Sequence, residues 1–265
     1  MSIPELAEFS MSKLIKNPGA NIVIIGKKNT GKSTLIKDIL AHVSEIFPVV
    51  IAMSGSESTN NFYKKMLPDI FVWHDINASK FAWIHQRQQE FGEKVRKGEK
   101  SFEGLLTGVG LIIDDCIANV DWTKDDHLTW FITNGRHLPI ILLIAVQSFK
   151  KLPPVIRTNI DYGFVLMCNN YTERKKIREE LMGMVENKSQ FDGIFNKYTD
   201  NFKCIVVDNV SKSTELQDLL YWYKANPDLK PKLCHQIYWD VNDILIKQTY
   251  EMLYRRAMEK KQLTV

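Results

Sequence analysis

The sequence predicts an α/β fold, with a mostly parallel central sheet flanked by helices and extra strands and helices toward the C-terminal end. Three observations predict it. Apolar strand-like runs alternate along the chain with amphipathic stretches at helical spacing, the pattern of a parallel sheet with helices on its faces. The composition is that of a globular protein, with 45% apolar and 25% charged residues in a chain of 265. No internal repeat interrupts the alternation.

Each element follows in order. Asn21 to Ile25 is an apolar run ending at Gly26, and a helix is expected from Ser33 to Ile46 on the stripe Ile36, Ile39, Leu40, Val43, Ile46. Pro48 stops it, and Val49 to Ala52 reads as the next strand. Ser54 to Asn61 is a polar turn, and Ile70 to Trp73 a short strand. Ser79 to Lys97 reads as a helix with Phe81, Ile84 and Phe91 inward. Val109 to Ile113 is a buried strand ending at Asp114; Trp122 to Asn134 is a helix closed by Gly135. Ile140 to Val146 is another buried strand, Pro153-Pro154 a turn, and Tyr162 to Cys168 and Cys204 to Val207 two further strands with helical segments between them. Thr214 to Lys224 and Val241 to Lys261 read as helices. In the first of these, Tyr221, Trp222 and Tyr223 form a packing face. The second carries the stripe Ile246, Tyr250, Leu253, Ala257 and is expected to pack on its own domain.

Composition excludes several classes. The longest apolar run, Ile140 to Val146, is far too short to span a bilayer. Glu5 and Glu8, with no apolar stretch around them, give no sign of a signal peptide. Four scattered cysteines (Cys116, Cys168, Cys204, Cys234) show no metal-ligand spacing and read as reduced thiols of a cytosolic compartment. The net charge is +4, from 35 basic and 31 acidic residues. Lys247, Arg255, Arg256, Lys260 and Lys261 against Glu251 and Glu259 put +3 of it into the tail. A nearly neutral body does not by itself argue for nucleic acid; a basic tail suits an acidic partner.

The chemistry is concentrated in three places. Gly26-Lys27-Lys28-Asn29-Thr30-Gly31-Lys32-Ser33 fits G-x-x-x-x-G-K-[ST] at every fixed position, between an apolar strand and an amphipathic helix. Glycines let such a loop wrap so that backbone N–H groups face phosphate oxygens. The lysine, Lys32, reaches the β- and γ-phosphates, Ser33 offers a hydroxyl to Mg²⁺, and the helix start favours an anion. With Thr34 as the next residue, Gly26 to Thr34 is the expected nucleotide-binding segment of a P-loop fold. Residues 1–210 then read as the P-loop domain and 211–265 as a C-terminal helical appendage.

The second place is Leu111-Ile112-Ile113-Asp114-Asp115, an apolar strand ending in two carboxylates. A Mg²⁺ held through phosphates and waters needs one acid at the strand tip, and hydrolysis needs a group that orients or deprotonates water. Asp114 suits the first task and Asp115 the second. The third place is Gln147, at the carboxyl end of a strand, where in such sheets ligands bind. It could sense the γ-phosphate or position water. Arg136, in Asn134-Gly135-Arg136-His137, and Arg157, after the proline turn, are the two arginines that could stabilise transition-state charge; on sequence alone each also reads as a solvated or helix-capping cation.

The order of these pieces resembles the FtsK–HerA superfamily of P-loop ATPases, and within it the genome-packaging ATPases of nucleocytoplasmic large DNA viruses, the poxvirus-type enzyme among them. Besides the loop and the acid pair, the resemblance rests on Asn134-Gly135-Arg136-His137-Leu138, Ile141 to Gln147, Pro153 to Ile160 and Trp222-Tyr223-Lys224-Ala225, over residues 20 to 225. It implies a sheet of the additional-strand type, with a strand between the two ATP motifs. It also implies an ATP-hydrolysing motor, a homo-oligomeric ring of five or six subunits that moves double-stranded DNA into a preformed viral capsid. The partners implied are duplex DNA and the capsid or its inner membrane; the places are the virus factory in the host cytoplasm and the virion. Carried over residue by residue, Asp114 takes the magnesium role, Asp115 that of the catalytic acid and Gln147 that of the sensor. Arg136, ahead of Arg157, becomes the finger that acts on a neighbour's site. Two features depart from the pattern: Asp115 stands where Glu is frequent, and Lys27 and Lys28 where small residues are usual.

Lys27 keeps a rival open. Dimerising P-loop switches place a lysine just after the first glycine to reach the partner's site, but Lys28, Asn29 and Asp115 count against that reading. A small-molecule kinase shares the loop. A GTP switch would need Asn-Lys-x-Asp, and Thr123-Lys124-Asp125-Asp126 lacks the Asn. A nucleotide-dependent scaffold that does not move DNA is the non-motor alternative.

Overall fold

The structure is a computed structural model that describes residues 3–76, 78–99, 107–116, 125–135 and 139–262. In chain order the strands are β1 (Ala7–Glu8), β2 (Asn21–Ile25), β3 (Val49–Ser54), β4 (Val72–Trp73), β5 (Val109–Asp114), β6 (Ile140–Val146), β7 (Tyr162–Val165), β8 (Lys203–Asp208) and β9 (Leu220–Lys224). The helices are α1 (Ser12–Lys16), α2 (Lys32–Val43), α3 (Glu57–Asn60), α4 (Ala78–Arg96), α5 (Asp126–Asn134), α6 (Pro154–Arg157), α7 (Tyr171–Glu180), α8 (Lys188–Tyr198), α9 (Leu216–Leu219) and α10 (Gln236–Gln262).

The strands form one sheet in the order β1-β9-β8-β7-β2-β6-β5-β3-β4. Every pairing is parallel except those of β8, which runs against β7 and β9. This is the expected α/β architecture, a mostly parallel sheet of nine described strands. The strand expected between the two ATP motifs is β6. It lies between β2, which leads into the phosphate loop, and β5, which carries the acids.

The central strands are apolar almost throughout because both faces are covered, with Asn21, Ser54 and Asp114 only at strand ends. Alternate residues of β2 enter opposite cores: Val23 and Ile25 face α4, α5, α7 and α8, while Ile22 and Ile24 face α1 and α2. Leu35, Ile36, Ile39, Leu40 and Val43 of α2 are all buried on that second side. The helix-starting residues behave as their chemistry demands. Asp125 accepts a hydrogen bond from Leu128 N, Asn170 from Glu173 N, and Asn187 from Ser189 N and Gln190 N.

Several expectations need correction. Thr214 to Lys224 is not a helix: α9 is a single turn, and Leu220 to Lys224 is a strand between β1 and β8. Tyr221, Trp222 and Tyr223 therefore alternate across a sheet instead of sharing a helix face, and the sheet continues past residue 210. The strand expected from Ile70 covers only Val72–Trp73, after a 3₁₀ turn at Asp69–Phe71. Finally, α10 does not pack along its stripe. Its first turns dock, with the Tyr238 ring against Phe71 at 5.1 Å and Asn242 Oδ1 accepting from Ile70 N at 3.3 Å. Beyond them Ile246 is half-buried, and Tyr250 and Leu253 are exposed. The expected helix start at Trp122 lies outside the described residues. Among those described, no helix is long and apolar enough to cross a membrane.

Candidate nucleotide site

The site lies at the carboxyl ends of β2, β5 and β6, where parallel strands leave a crevice. The register explains why its groups meet. Ile25 pairs with Val146 and Asp114 with Ala145, so the phosphate loop, the acids and Gln147 all begin at the same level of the sheet.

The loop needs its glycines for two different reasons. Gly31 has φ +95°, in the left-handed region where a side chain is strained. A Cβ on Gly26 would come within 2.7 Å of Leu166 Cδ1 and of Thr30 Oγ1, so this position is closed by packing. Asn29 takes φ 64°, which asparagine tolerates better than most residues. Thr30 Oγ1 donates to Lys27 O at 2.8 Å and closes the turn. Lys27, Lys28, Asn29 and Ser33 are exposed at the rim, while Lys32 and Thr34 are partly covered.

Asp114 is buried. Tyr63 O–H donates to its Oδ2 at 3.1 Å, and Lys32 Nζ stands 3.2 Å from Oδ1. The second contact is an ion pair without hydrogen-bond alignment, since Oδ1 has no hydrogen-bond partner. Burial raises the Asp114 pKa above the ordinary carboxylate value, and Lys32 and Tyr63 offset only part of that. A buried, unaligned carboxylate oxygen beside a phosphate loop fits a divalent cation. Asp114 with the Ser33 hydroxyl is a donor set suited to Mg²⁺, which keeps several waters and takes few protein ligands.

Asp115 leaves the strand with φ 55°, an uncommon conformation for a residue with a side chain. The turn aims its carboxylate at Gln147, whose Nε2 donates to Oδ1 at 2.8 Å and Oδ2 at 2.7 Å. The neighbouring Cys116 is half-buried, and burial lifts its thiol to about 11, so it stays protonated and inert.

These groups line one cavity of about 750 Å³ that includes Lys27, Lys28, Asn29, Gly31, Lys32, Ser33 and Thr34, together with Asp114, Asp115 and Gln147. Gly26 and Thr30 support the loop from below. Arg157 is not part of this lining. Its guanidinium binds Glu180 Oε2 at 2.6 Å and the carbonyl of Leu152, and it is mostly covered. Arg136 lies outside the described residues. Sequence reasoning missed Tyr63, Phe62 and Phe202, which join the site from the polar turn after β3 and from the start of β8. The Ser- and Asn-rich turn was the available signal for the first two, because it leaves a strand at the ligand-facing end of the sheet. Nothing in the sequence marked Phe202.

A profile of the poxvirus A32 protein family matches residues 6–215. The chain belongs to that family. An uncharacterised protein of Acanthamoeba polyphaga mimivirus is 31% identical over 222 residues, covering 83% of this chain and 77% of that one. An uncharacterised protein of Frog virus 3 is 34% identical over 207 residues, covering 78% of this chain and 62% of its own length. Among solved structures, the genome packaging NTPase B204 of Sulfolobus turreted icosahedral virus 2, bound to AMPPCP, aligns with a TM-score of 0.53 at 17% identity, over 80% of this chain and 100% of that one. The pCW3 conjugation coupling protein TcpA, with ATPγS, gives 0.55 at 14%, over 84% and 70%. These two share the fold with this A32-family chain.

Proposed function

We propose that this A32-family protein hydrolyses ATP with Mg²⁺ and uses the turnover to move double-stranded DNA into a viral capsid, as a homo-oligomeric ring. The observation that carries the enzymatic part is the meeting of Lys32, Asp114, Asp115 and Gln147 in one cavity at the phosphate loop. Family membership and a fold shared with a genome packaging NTPase support the packaging part.

The residues divide the work. Backbone N–H groups of Gly26 to Thr34 cradle the phosphates, and Lys32 exchanges Asp114 for the β- and γ-oxygens. Asp114 and Ser33 would hold the metal, which when bound neutralises charge developing on those oxygens. Asp115 orients a water and accepts its proton as the water oxygen bonds to the γ-phosphorus and the bond to the β-phosphate oxygen breaks. Gln147 fixes the Asp115 carboxylate and couples its position to the γ-phosphate. A positive group from a neighbouring subunit, for which Arg136 is proposed, completes the charge stabilisation.

The test is ATP hydrolysis by the purified chain with and without duplex DNA, run beside native mass measurement. The motor reading expects assembly and DNA-stimulated turnover. Turnover that ignores DNA in a chain that stays dimeric would favour the switch or scaffold alternatives.

A further inference from the structure

A second cavity, of about 320 Å³, adjoins the phosphate cavity, and the two share Gly31, Thr34 and Phe202. Their chemistry differs. The first is walled mainly by lysines, hydroxyls, carboxylates and carboxamides, with Phe62 and the shared Phe202 as its rings. The second is walled by Leu35, Leu166, Ala225, Pro227 and Phe202. Its polar side chains are the Thr34 hydroxyl, the Lys224 amine and the Cys204 thiol; the thiol is kept protonated by burial and donates to Tyr223 O at 3.5 Å. Among the described residues, no carboxylate and no carboxamide lines it.

The far wall is fixed to the helix that carries the loop. Tyr223 O–H donates to Asp38 Oδ2, Asn226 N to Asp38 Oδ1 at 3.3 Å, and Lys37 Nζ to Pro227 O at 2.7 Å. The near wall is the Phe202 ring. Lys203 N donates to Asp200 O at 3.0 Å across a tight turn whose central residues, Asn201 and Phe202, have φ 52° and 60°. Asparagine and glycine suit such positions; phenylalanine does not. Nor does core burial repay the strain, since the residue is 63% exposed. A backbone outlier that holds an exposed aromatic ring against the phosphate loop is placed for a ligand. The ring passes so near the loop that a Cβ on Gly31 would be 3.4 Å from Phe202 Cδ1.

We propose that this cavity takes the nucleobase of the bound nucleotide, that Phe202 is its stacking partner, and that the site accepts adenine and guanine alike. This rests on reading the loop as a nucleotide site. Every base has a π-face, so stacking is sequence-tolerant. Discrimination needs polar groups aimed at base edges, and an apolar pocket rejects a close analogue only weakly. Guanine selection in particular needs an acidic acceptor for its N1–H and amino group, and none of the described residues lining this cavity is one.

The experiment is calorimetric titration of ATP, GTP and inorganic tripolyphosphate, with Mg²⁺, into the full chain and into Phe202→Gly and Phe202→Leu. The wild type should bind ATP and GTP within about tenfold of each other. Phe202→Gly should weaken both nucleotides by on the order of tenfold and leave tripolyphosphate unchanged. Its melting temperature should hold or rise, because glycine fits φ 60° without strain. Phe202→Leu, apolar but without a π-face, should lose nucleotide affinity as well. Unchanged nucleotide affinity in Phe202→Gly overturns the base site, and so does an equal loss for tripolyphosphate, which would place the ring's effect on the loop. An ATP preference above about a hundredfold overturns the shared-base reading. If neither nucleotide nor tripolyphosphate binds the wild type, the phosphate-loop reading itself is what fails.

Discussion

Gln147 Nε2 lies within 2.8 Å of both carboxylate oxygens of Asp115, and this pair joins the tips of two adjacent parallel strands. The amide ties down the carboxylate in the lining of the cavity that the phosphate loop also borders. The uncommon φ of 55° at Asp115 is part of this arrangement.

Substitutions in this pair should separate chemistry from binding. Asp115→Asn keeps the shape and removes the proton acceptor, so ATP affinity should hold while kcat falls by about 10²–10⁴. Gln147→Ala leaves the carboxylate chemically intact but unpositioned, and should lower kcat by less. Lys32→Ala should show the opposite profile, with ATP affinity lost first. Steady-state kinetics beside nucleotide titration checks all three; full turnover in Asp115→Asn would remove the acid-pair assignment.

Asp114 makes a pH-dependent prediction. Burial raises its pKa in the folded protein above the unfolded value. Between those two values the folded state holds more protons than the unfolded one, so this group's contribution to stability falls as pH rises through that window and is flat above it. Above that window this contribution is lost, because the ionised form is the one that burial disfavours. Asp114→Asn should raise the melting temperature at pH 7 in the absence of nucleotide, and the gain should vanish as pH falls to about 4. Added Mg²⁺ with ATP should stabilise the wild type strongly and this variant weakly, since a ligand stabilises only the state that binds it.

The two arginines should part company. Arg157 is held by Glu180 and a carbonyl inside its own subunit, so Arg157→Ala should cost about 1–3 kcal/mol of stability by stranding partly buried partners. Its kcat should change little. Arg136→Ala should preserve ATP binding and lower kcat by about 10³–10⁵ if it serves a neighbour's site. Mixed assemblies of Arg136→Ala with Lys32→Ala should then regain part of the turnover, because an intact site meets an intact finger. No recovery in a confirmed mixed assembly would argue for a role within one subunit.

The site was readable where chemistry forces local spacing. A loop of this pattern follows its strand directly, and the acids and the glutamine sit at strand tips, so the candidate residues Gly26 to Thr34, Asp114, Asp115 and Gln147 could be picked out together. Tyr63 and Phe202 reach the site across the fold; the Ser- and Asn-rich turn pointed to the region of Tyr63, and nothing local marked Phe202. The C-terminal part misled for a different reason. Leu216, Leu219, Leu220 and Tyr223 fall at helical spacing, yet Leu220 to Lys224 is a strand, because pairing with β1 and β8 on both sides outweighs a short periodic run. The stripe on α10 did give a helix; periodicity reports a face, not the surface that covers it.

That uncovered face sets the last prediction. Residues 247–253 are all exposed, whereas Tyr238 and Asn242, earlier in the same helix, are anchored to Phe71 and Ile70. Deleting residues 247–265 should therefore leave the melting temperature within about 2 °C of the intact chain, surface changes being worth about 0.5 kcal/mol or less. Deleting from Gln236 should cost far more, since it strips the Phe71 ring and the Ile70 amide of their partners. The shorter deletion also removes a net charge of +3. If this basic segment touches duplex DNA, the dependence of binding on log salt should flatten by about 0.9 for each phosphate that the segment had neutralised. An unchanged slope, in a deletion that still folds and assembles, would exclude the DNA contact and leave only packing or capsid roles for the segment.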